Sequence, residues 1–278
     1  ETTRLDPDTL AEAIRPATRL VVVNHASNVT GVLQPLDRIA ELCRARGVLL
    51  LVDAAQSAGH VPIDFAALGL DLLACPGHKG LLGPLGTGML LIRGGVEQQM
   101  RTVREGGTGS QSENAFQPER LPDRFEAGSH NAPGLAGLLA AVRWINQQDV
   151  AGLRAHELDL SARMAAVLDR VAGLTSYGPR RPEERVGVFS VRLDAFEPPE
   201  LSALLEREFG ILSRPGLHCA PFAHNAIGTL NRGGTTRLSL GPFTTPEDID
   251  AVGAALVDIA RSAAGLDNPL PDAAAQGR

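Results

Sequence analysis

Along the first 95 residues, short apolar runs alternate with segments of helical spacing. Asp8 to Ile14 reads as a short helix, and Arg19-Leu20-Val21-Val22-Val23 as a buried strand that ends at Asn24-His25. Leu36 to Arg46 places Leu36, Ile39, Ala40, Leu42 and Cys43 at helical spacing and stops at Gly47, a residue suited to ending a helix. Val48 to Val52 is an unbroken aliphatic run, the pattern of a parallel strand covered on both faces. Phe65 to Leu68 predicts a helical turn, Leu70 to Cys75 a strand and Gly86 to Arg93 another, which together make a run of β-α-β units.

Residues 94–133 break the pattern. They are rich in Gly, Ser, Pro and charge, and a segment that long without periodicity is functional or a linker. From Pro133 to about Val171 the spacing is helical again, with Leu135, Leu138, Leu139, Val142 and Ile145 on one face. Beyond it the chain predicts a smaller α+β domain: strand Val186 to Leu193, helix Pro199 to Phe209, strand Thr236 to Leu240 and helix Pro246 to Ala260. The tail from Ala263 reads as fraying. The expected organisation is a large α/β domain over 1–150, a small α+β domain over 151–265 and a flexible tail over 266–278. No internal repeat is found.

Composition narrows the function classes. A net charge of -6 and an aromatic content of 4% give no basic face and no stacking platform, so nucleic acid and membrane surfaces are set aside as partners. No segment reaches the roughly 18 apolar residues of a membrane span. The N-terminus lacks signal-peptide features. The three cysteines, Cys43, Cys75 and Cys219, form no CxxC pair, so no zinc ribbon, other metal site or disulfide framework is expected. A reduced, cytoplasmic enzyme fits this inventory.

Chemistry gathers at predicted strand ends, where ligands sit in open α/β sheets. Asp53 closes the aliphatic strand, where a charge is costly unless offset; singly, it would more often be a turn or cap residue. Lys79 follows in Pro76-Gly77-His78-Lys79-Gly80, hemmed in by glycines and apolar residues, a setting in which an amine tends to lose its proton. The ordinary reading of such a residue is a solvated loop lysine. Together, an acid and a lysine 26 residues apart form the pair a pyridoxal 5'-phosphate enzyme needs: an amine for the cofactor aldehyde and a carboxylate for the pyridine nitrogen. Gln56 would contact the ring oxygen or complete a capping box. His78 is a phosphate contact or a structural histidine. The glycines match no dinucleotide or phosphate-loop motif.

Asn24-His25-Ala26-Ser27-Asn28-Val29-Thr30-Gly31, Val52-Asp53-Ala54-Ala55-Gln56, Gly77-His78-Lys79 and Arg124-Phe125-Glu126-Ala127-Gly128 occur in that order, followed by Arg214 to Pro221 and Thr236 to Leu240. The chain thereby resembles class V aminotransferase-like enzymes along nearly its whole length, and cysteine desulfurases and selenocysteine lyases most closely. The resemblance implies a fold type I α/β architecture, N-terminally incomplete, with a mainly parallel sheet flanked by helices and a smaller α+β domain. It implies Lys79 as the residue covalently bound to the cofactor and as the acid/base at the substrate's α-carbon. It also implies cofactor contacts from Asp53, Gln56, His78, Asn28 and Thr108, and substrate-carboxylate contacts from Asn28, Arg237 and Arg214. Cys219 would be the thiolate that takes the substrate's sulfur as a persulfide, favoured by nearby Arg214 and His218. Cys43 and Cys75 are expected in the core. Glu105-Gly106-Gly107-Thr108 matches a segment that reaches a neighbouring subunit's cofactor, implying a homodimer; a sulfur-acceptor protein would be a further partner.

The expected activity is removal of sulfur from L-cysteine to give L-alanine and an enzyme persulfide, with selenocysteine lyase as a related alternative that need not use the thiol. Alternatives are an aminotransferase, epimerase or lyase of the same fold without thiol chemistry, and a non-catalytic fragment. Two departures motivate the last. Pro76 stands where the family has a hydroxyl donor to the phosphate, and a proline also lacks a backbone N–H. The chain moreover begins after the segment that carries the family's phosphate-cradling helix terminus, so it is expected to be a fragment, since lost sheet elements would expose edges.

Overall fold

The computed structural model describes residues 3–265, and the expected flexible tail over 266–278 lies outside them. The described residues divide into two compact units, one made of residues 6–25 and 35–150, the other of residues 3–5, 26–34 and 151–265. The short segment carrying Asn28 therefore groups with the C-terminal half.

The first unit holds a four-stranded sheet in the order β1-β2-β3-β4, with β1 at Leu20–Asn24, β2 at Leu49–Asp53, β3 at Leu72–Pro76 and β4 at Gly88–Ile92. β1, β2 and β3 are parallel, and β4 returns antiparallel to β3, pairing Pro76 with Gly88. The run of β-α-β units therefore ends one strand early: the eleven residues between β3 and β4 form a glycine-rich turn, too short for a helical crossover. α1 (Pro7–Ala13) and α2 (Leu36–Ala45) precede β1 and β2. α2 buries Leu36, Ile39, Ala40 and Cys43, as its spacing predicts. α3 (Ala132–Gln148) starts at an Asn131 cap that accepts from the Gly134 N–H at 3.1 Å.

Coverage of the sheet differs from expectation. Val21, Val23, Leu50 and Val52 are buried, but on the opposite face Val22 is 61% exposed and Leu49 and Leu51 are only half-buried. A continuous aliphatic run does not distinguish one covered face from two, because successive side chains point to opposite sides of a strand.

In the second unit the sheet is antiparallel throughout, in the order β5-β6-β8-β7. Its elements are α4 (Val150–Leu168), β5 (Leu174–Tyr177), β6 (Val188–Leu193), α5 (Pro198–Phe209), β7 (Arg214–Gly216), α6 (Pro221–Ala226), β8 (Thr235–Ser239) and α7 (Pro246–Gly265). The helical pattern over 133–171 is thus two helices, because Asp149 adopts φ 64° and interrupts it. Ala263 to Gly265, expected to fray, complete the last turn of α7. Sequence periodicity missed β5, β7 and α6, which are three to six residues long and span too little for a period to show.

Phe189, Leu201, Leu205, Leu238, Ile249 and Leu256 form the core of this unit, all at most 3% exposed. Arg185, itself buried, lies over the Phe189 ring at 3.7 Å and donates to the Pro179 and Val188 carbonyls. α5 begins with a reciprocal Glu197/Glu200 capping box and ends at Gly210 in the left-handed region. That helix and the β6-β8 pairing set the position of β8, on which Thr235 and Arg237 lie.

Candidate active site

The first unit carries the amine and the acid. Asp53 is the last residue of β2, and Lys79 lies in the turn that leaves β3, its parallel neighbour; both therefore sit beyond the carboxyl edge of one sheet. Two glycines set the spacing of the turns. A Cβ on Gly59 would lie 2.1 Å from the Gly80 carbonyl oxygen, and one on Gly80 would lie 2.3 Å from that of Ala58. The turn after Asp53 and the turn holding Lys79 thus meet backbone to backbone, an approach only glycine permits.

Asp53 is exposed, which corrects the expectation of a costly buried charge. Its carboxylate accepts the Ala55 N–H at 2.8 Å, and no cation pairs with it among the described residues. Lys79 is exposed as well, rather than hemmed in, and forms no ion pair among the described residues. Gln56 is half-buried in the turn after β2, where no helix starts, so it completes no capping box. His78 is exposed. Cys75 is buried in β3, and burial together with the Asp53 charge pushes its thiol above the ordinary range; Cys43 is likewise buried and raised by burial and Asp71. Both cysteines are core residues, as expected.

The backbone before Lys79 offers little to an anion. Pro76 has no N–H, and the Gly77 N–H already donates to the Thr87 carbonyl at 2.8 Å. Thr108 is half-buried in the irregular segment, where Gly106 donates to Gln117 at 2.8 Å and accepts from Gly128 at 2.9 Å.

A signal overlooked in the sequence is that Lys79 is the only lysine in the chain; every other residue of that charge class is arginine. Lys79 is thus the one side-chain amine the chain offers.

The second unit carries the thiol. Cys219 is exposed, and both it and His218 lie in the left-handed region, at φ 60° and 51°. Arg214, at the start of β7, donates to the Cys219 sulfur at 3.6 Å. Arg237 donates to the Asn28 carbonyl at 3.2 Å, and the Asn28 amide donates to the His218 carbonyl at 2.6 Å. Burial and the nearby Arg214 charge lower the Arg237 pKa, with Cys219 acting in the opposite sense. The Arg237 Nε is buried without a partner, so this guanidinium has donor capacity to spare. The structure thus groups Asn28, Arg214, Cys219 and Arg237 in one unit.

His218 differs from expectation. Burial, then Arg237, His224 and Arg214, lower its pKa to about 4. It is neutral at pH 7 and supplies no positive charge to its neighbour Cys219. Sequence reading also missed the buried Thr235, whose hydroxyl meets the His218 ring, and the buried Ser190 behind it, because isolated hydroxyls on strands carry no motif.

The first unit thus supplies an amine and a carboxylate, and the second a thiol beside two guanidinium groups. The sequence signature of the aminotransferase class-V family matches residues 1–252, and the chain belongs to that family. A probable cysteine desulfurase from Methanothermobacter thermautotrophicus is 34% identical over 258 residues, covering 92% of this chain and 64% of that protein. The apo cysteine desulfurase of Thermococcus onnurineus NA1 superposes with a TM-score of 0.86 at 30% identity, covering 94% of this chain and 64% of that one. C-DES, a cystine C-S lyase, solved as a mutant with glycine covalently linked to its PLP cofactor, superposes with a TM-score of 0.78 at 27% identity, covering 91% and 63%. The architecture is fold type I, and the chain spans a little under two-thirds of the length of these relatives.

The residues present fit pyridoxal phosphate. Among the described residues Asp53 is a carboxylate without a cationic partner, suited to a protonated pyridine nitrogen, and Lys79 is an exposed amine on the same sheet edge. No helix among the described residues is long and apolar enough to cross a membrane.

Proposed function

We propose that this chain binds pyridoxal 5'-phosphate covalently through Lys79 and desulfurates L-cysteine. The observation that carries this reading is the placement of the only lysine in a turn fixed, through Gly59 and Gly80, against the turn that follows Asp53. When bound, the cofactor supplies an electron sink that allows the substrate's Cα–H bond to break. Asp53 keeps the pyridine nitrogen protonated, Gln56 donates to the ring oxygen, and His78 and Thr108 serve the phosphate. Lys79 takes the Cα proton and returns one to the product.

Arg237, Arg214 and the remaining amide proton of Asn28 hold the substrate carboxylate; one proton of that amide is already given to His218. The Cys219 thiolate attacks the substrate's sulfur, the Cβ–S bond breaks, and the electron pair leaves with carbon. The carbon is protonated, so L-cysteine and the enzyme thiol become L-alanine and an enzyme persulfide, with no external oxidant or reductant. The proposal extends to a cytoplasmic homodimer in which the Thr108 segment serves the neighbouring subunit, and to a protein that accepts the persulfide sulfur.

The test is alanine production from L-cysteine in the presence of cofactor and a thiol reductant. The parent is expected to produce alanine and Cys219→Ala to lose that activity. Equal turnover by the two would remove the desulfurase assignment and leave the cofactor reading intact.

A further inference from the structure

Around His218 the hydrogen bonds run in one direction only. The Ser190 hydroxyl donates to the Val29 carbonyl at 2.7 Å, and a carbonyl can only accept, so the single hydroxyl proton of Ser190 is committed. Thr235 lies 3.0 Å from the Ser190 oxygen and must donate to it. The Thr235 oxygen is also 3.0 Å from His218 Nε2, and with its own proton given to Ser190 it can only accept there. Nε2 therefore carries the ring proton. His218 Nδ1 is left without a proton, buried and unpartnered.

The network closes on itself. The Asn28 amide grips the His218 carbonyl, while the next residue, Val29, receives the far end of the hydroxyl relay that begins at the His218 ring. His218 is thus held at both its backbone and its ring by the same two-residue segment, and it precedes Cys219 directly. Both residues occupy a backbone region that costs free energy for a side chain bearing a Cβ and persists only where surroundings enforce it.

We propose that His218, locked as the Nε2–H tautomer by Thr235 and Ser190, is a positioning residue that holds Cys219 in its exposed left-handed turn beside Arg214. The inference rests on the reading of Cys219 as the working thiol. Without the relay the turn relaxes toward ordinary backbone angles and the sulfur leaves the guanidinium that donates to it. A charged imidazole would not substitute, since it would sit against Arg237 and Arg214.

Two measurements on the whole protein test this, neither of which depends on turnover. The first is nitrogen NMR of histidine-labelled protein at pH 7, where His218 is expected to show a protonated Nε2 and an unprotonated Nδ1. The Nδ1–H tautomer or an imidazolium would overturn the proposal, and this arm needs no substitution that might fail to fold. The second is the rate of Cys219 alkylation by iodoacetamide, assigned by peptide mass, with Cys43 and Cys75 buried and slow. Thr235→Val is expected to slow it about tenfold and Thr235→Ser to restore it, the order expected for one lost buried hydrogen bond. An unchanged rate in a folded Thr235→Val protein would overturn the proposal. That failure is distinct from failure of the desulfurase reading, which appears as turnover without Cys219.

Discussion

Acidification from pH 7 to pH 5 should destabilise the C-terminal unit through His218. The folded pKa of this residue is about 4 against an ordinary 6.5, because the ring is buried and faces Arg237, His224 and Arg214. Between those values the unfolded chain binds the proton and the folded chain does not, so stability is fully present above pH 6.5 and is lost as pH falls toward 4. At about 1.4 kcal/mol per pKa unit, the loss between pH 7 and pH 5 comes to about 2 kcal/mol. His224 is shifted in the same direction by burial, so the effect must be isolated by comparison with His218→Gln. The assay is urea unfolding followed by circular dichroism and by the absorbance of Tyr177, the single tyrosine, which lies in β5 of that unit. The stability gap between parent and variant should shrink by about 2 kcal/mol from pH 7 to pH 5. A gap independent of pH would show that His218 is already free to take a proton when folded, and the argument from its burial would fail.

Gly59→Ala should cost about 2–4 kcal/mol, because its φ of 82° and the 2.1 Å approach to Gly80 act together. Gly47→Ala has the same handedness but open space around it and should cost about 1 kcal/mol. Urea unfolding followed by Trp144 fluorescence distinguishes the two, and equal losses would contradict the close-approach argument. Arg237→Lys should raise KM for cysteine about tenfold with a smaller change in kcat, since an ammonium cannot make the two-pronged carboxylate contact. A KM equal to that of the parent would exclude Arg237 from the carboxylate.

The motifs at Asn24, Asp53 and Lys79 were legible in the sequence because each follows or closes an apolar strand. Asp53 and Lys79 were found from the apolar runs before them. The direction of β4 was not legible, since a five-residue strand looks the same in either orientation and only the short interval from Pro76 to Gly88 decides it. The break at Asp149 was hidden because the apolar spacing continues through it. The role of Thr235 could not be read at all, for it depends on Ser190, 45 residues away, having its proton committed elsewhere. His218 was misjudged for the same reason: a histidine beside a cysteine reads as a cation until burial and two arginines are known to oppose its charge.

The account depends most directly on Lys79 holding the cofactor. Incubation with pyridoxal 5'-phosphate, reduction with borohydride and peptide mass mapping measures this without reference to turnover, and the chain offers only one lysine to be labelled. The expected result is a reduced cofactor adduct on the peptide containing Lys79, together with a yellow absorption band that Lys79→Ala lacks. An adduct confined to the N-terminal amine, or a band that persists undiminished in Lys79→Ala, would contradict it.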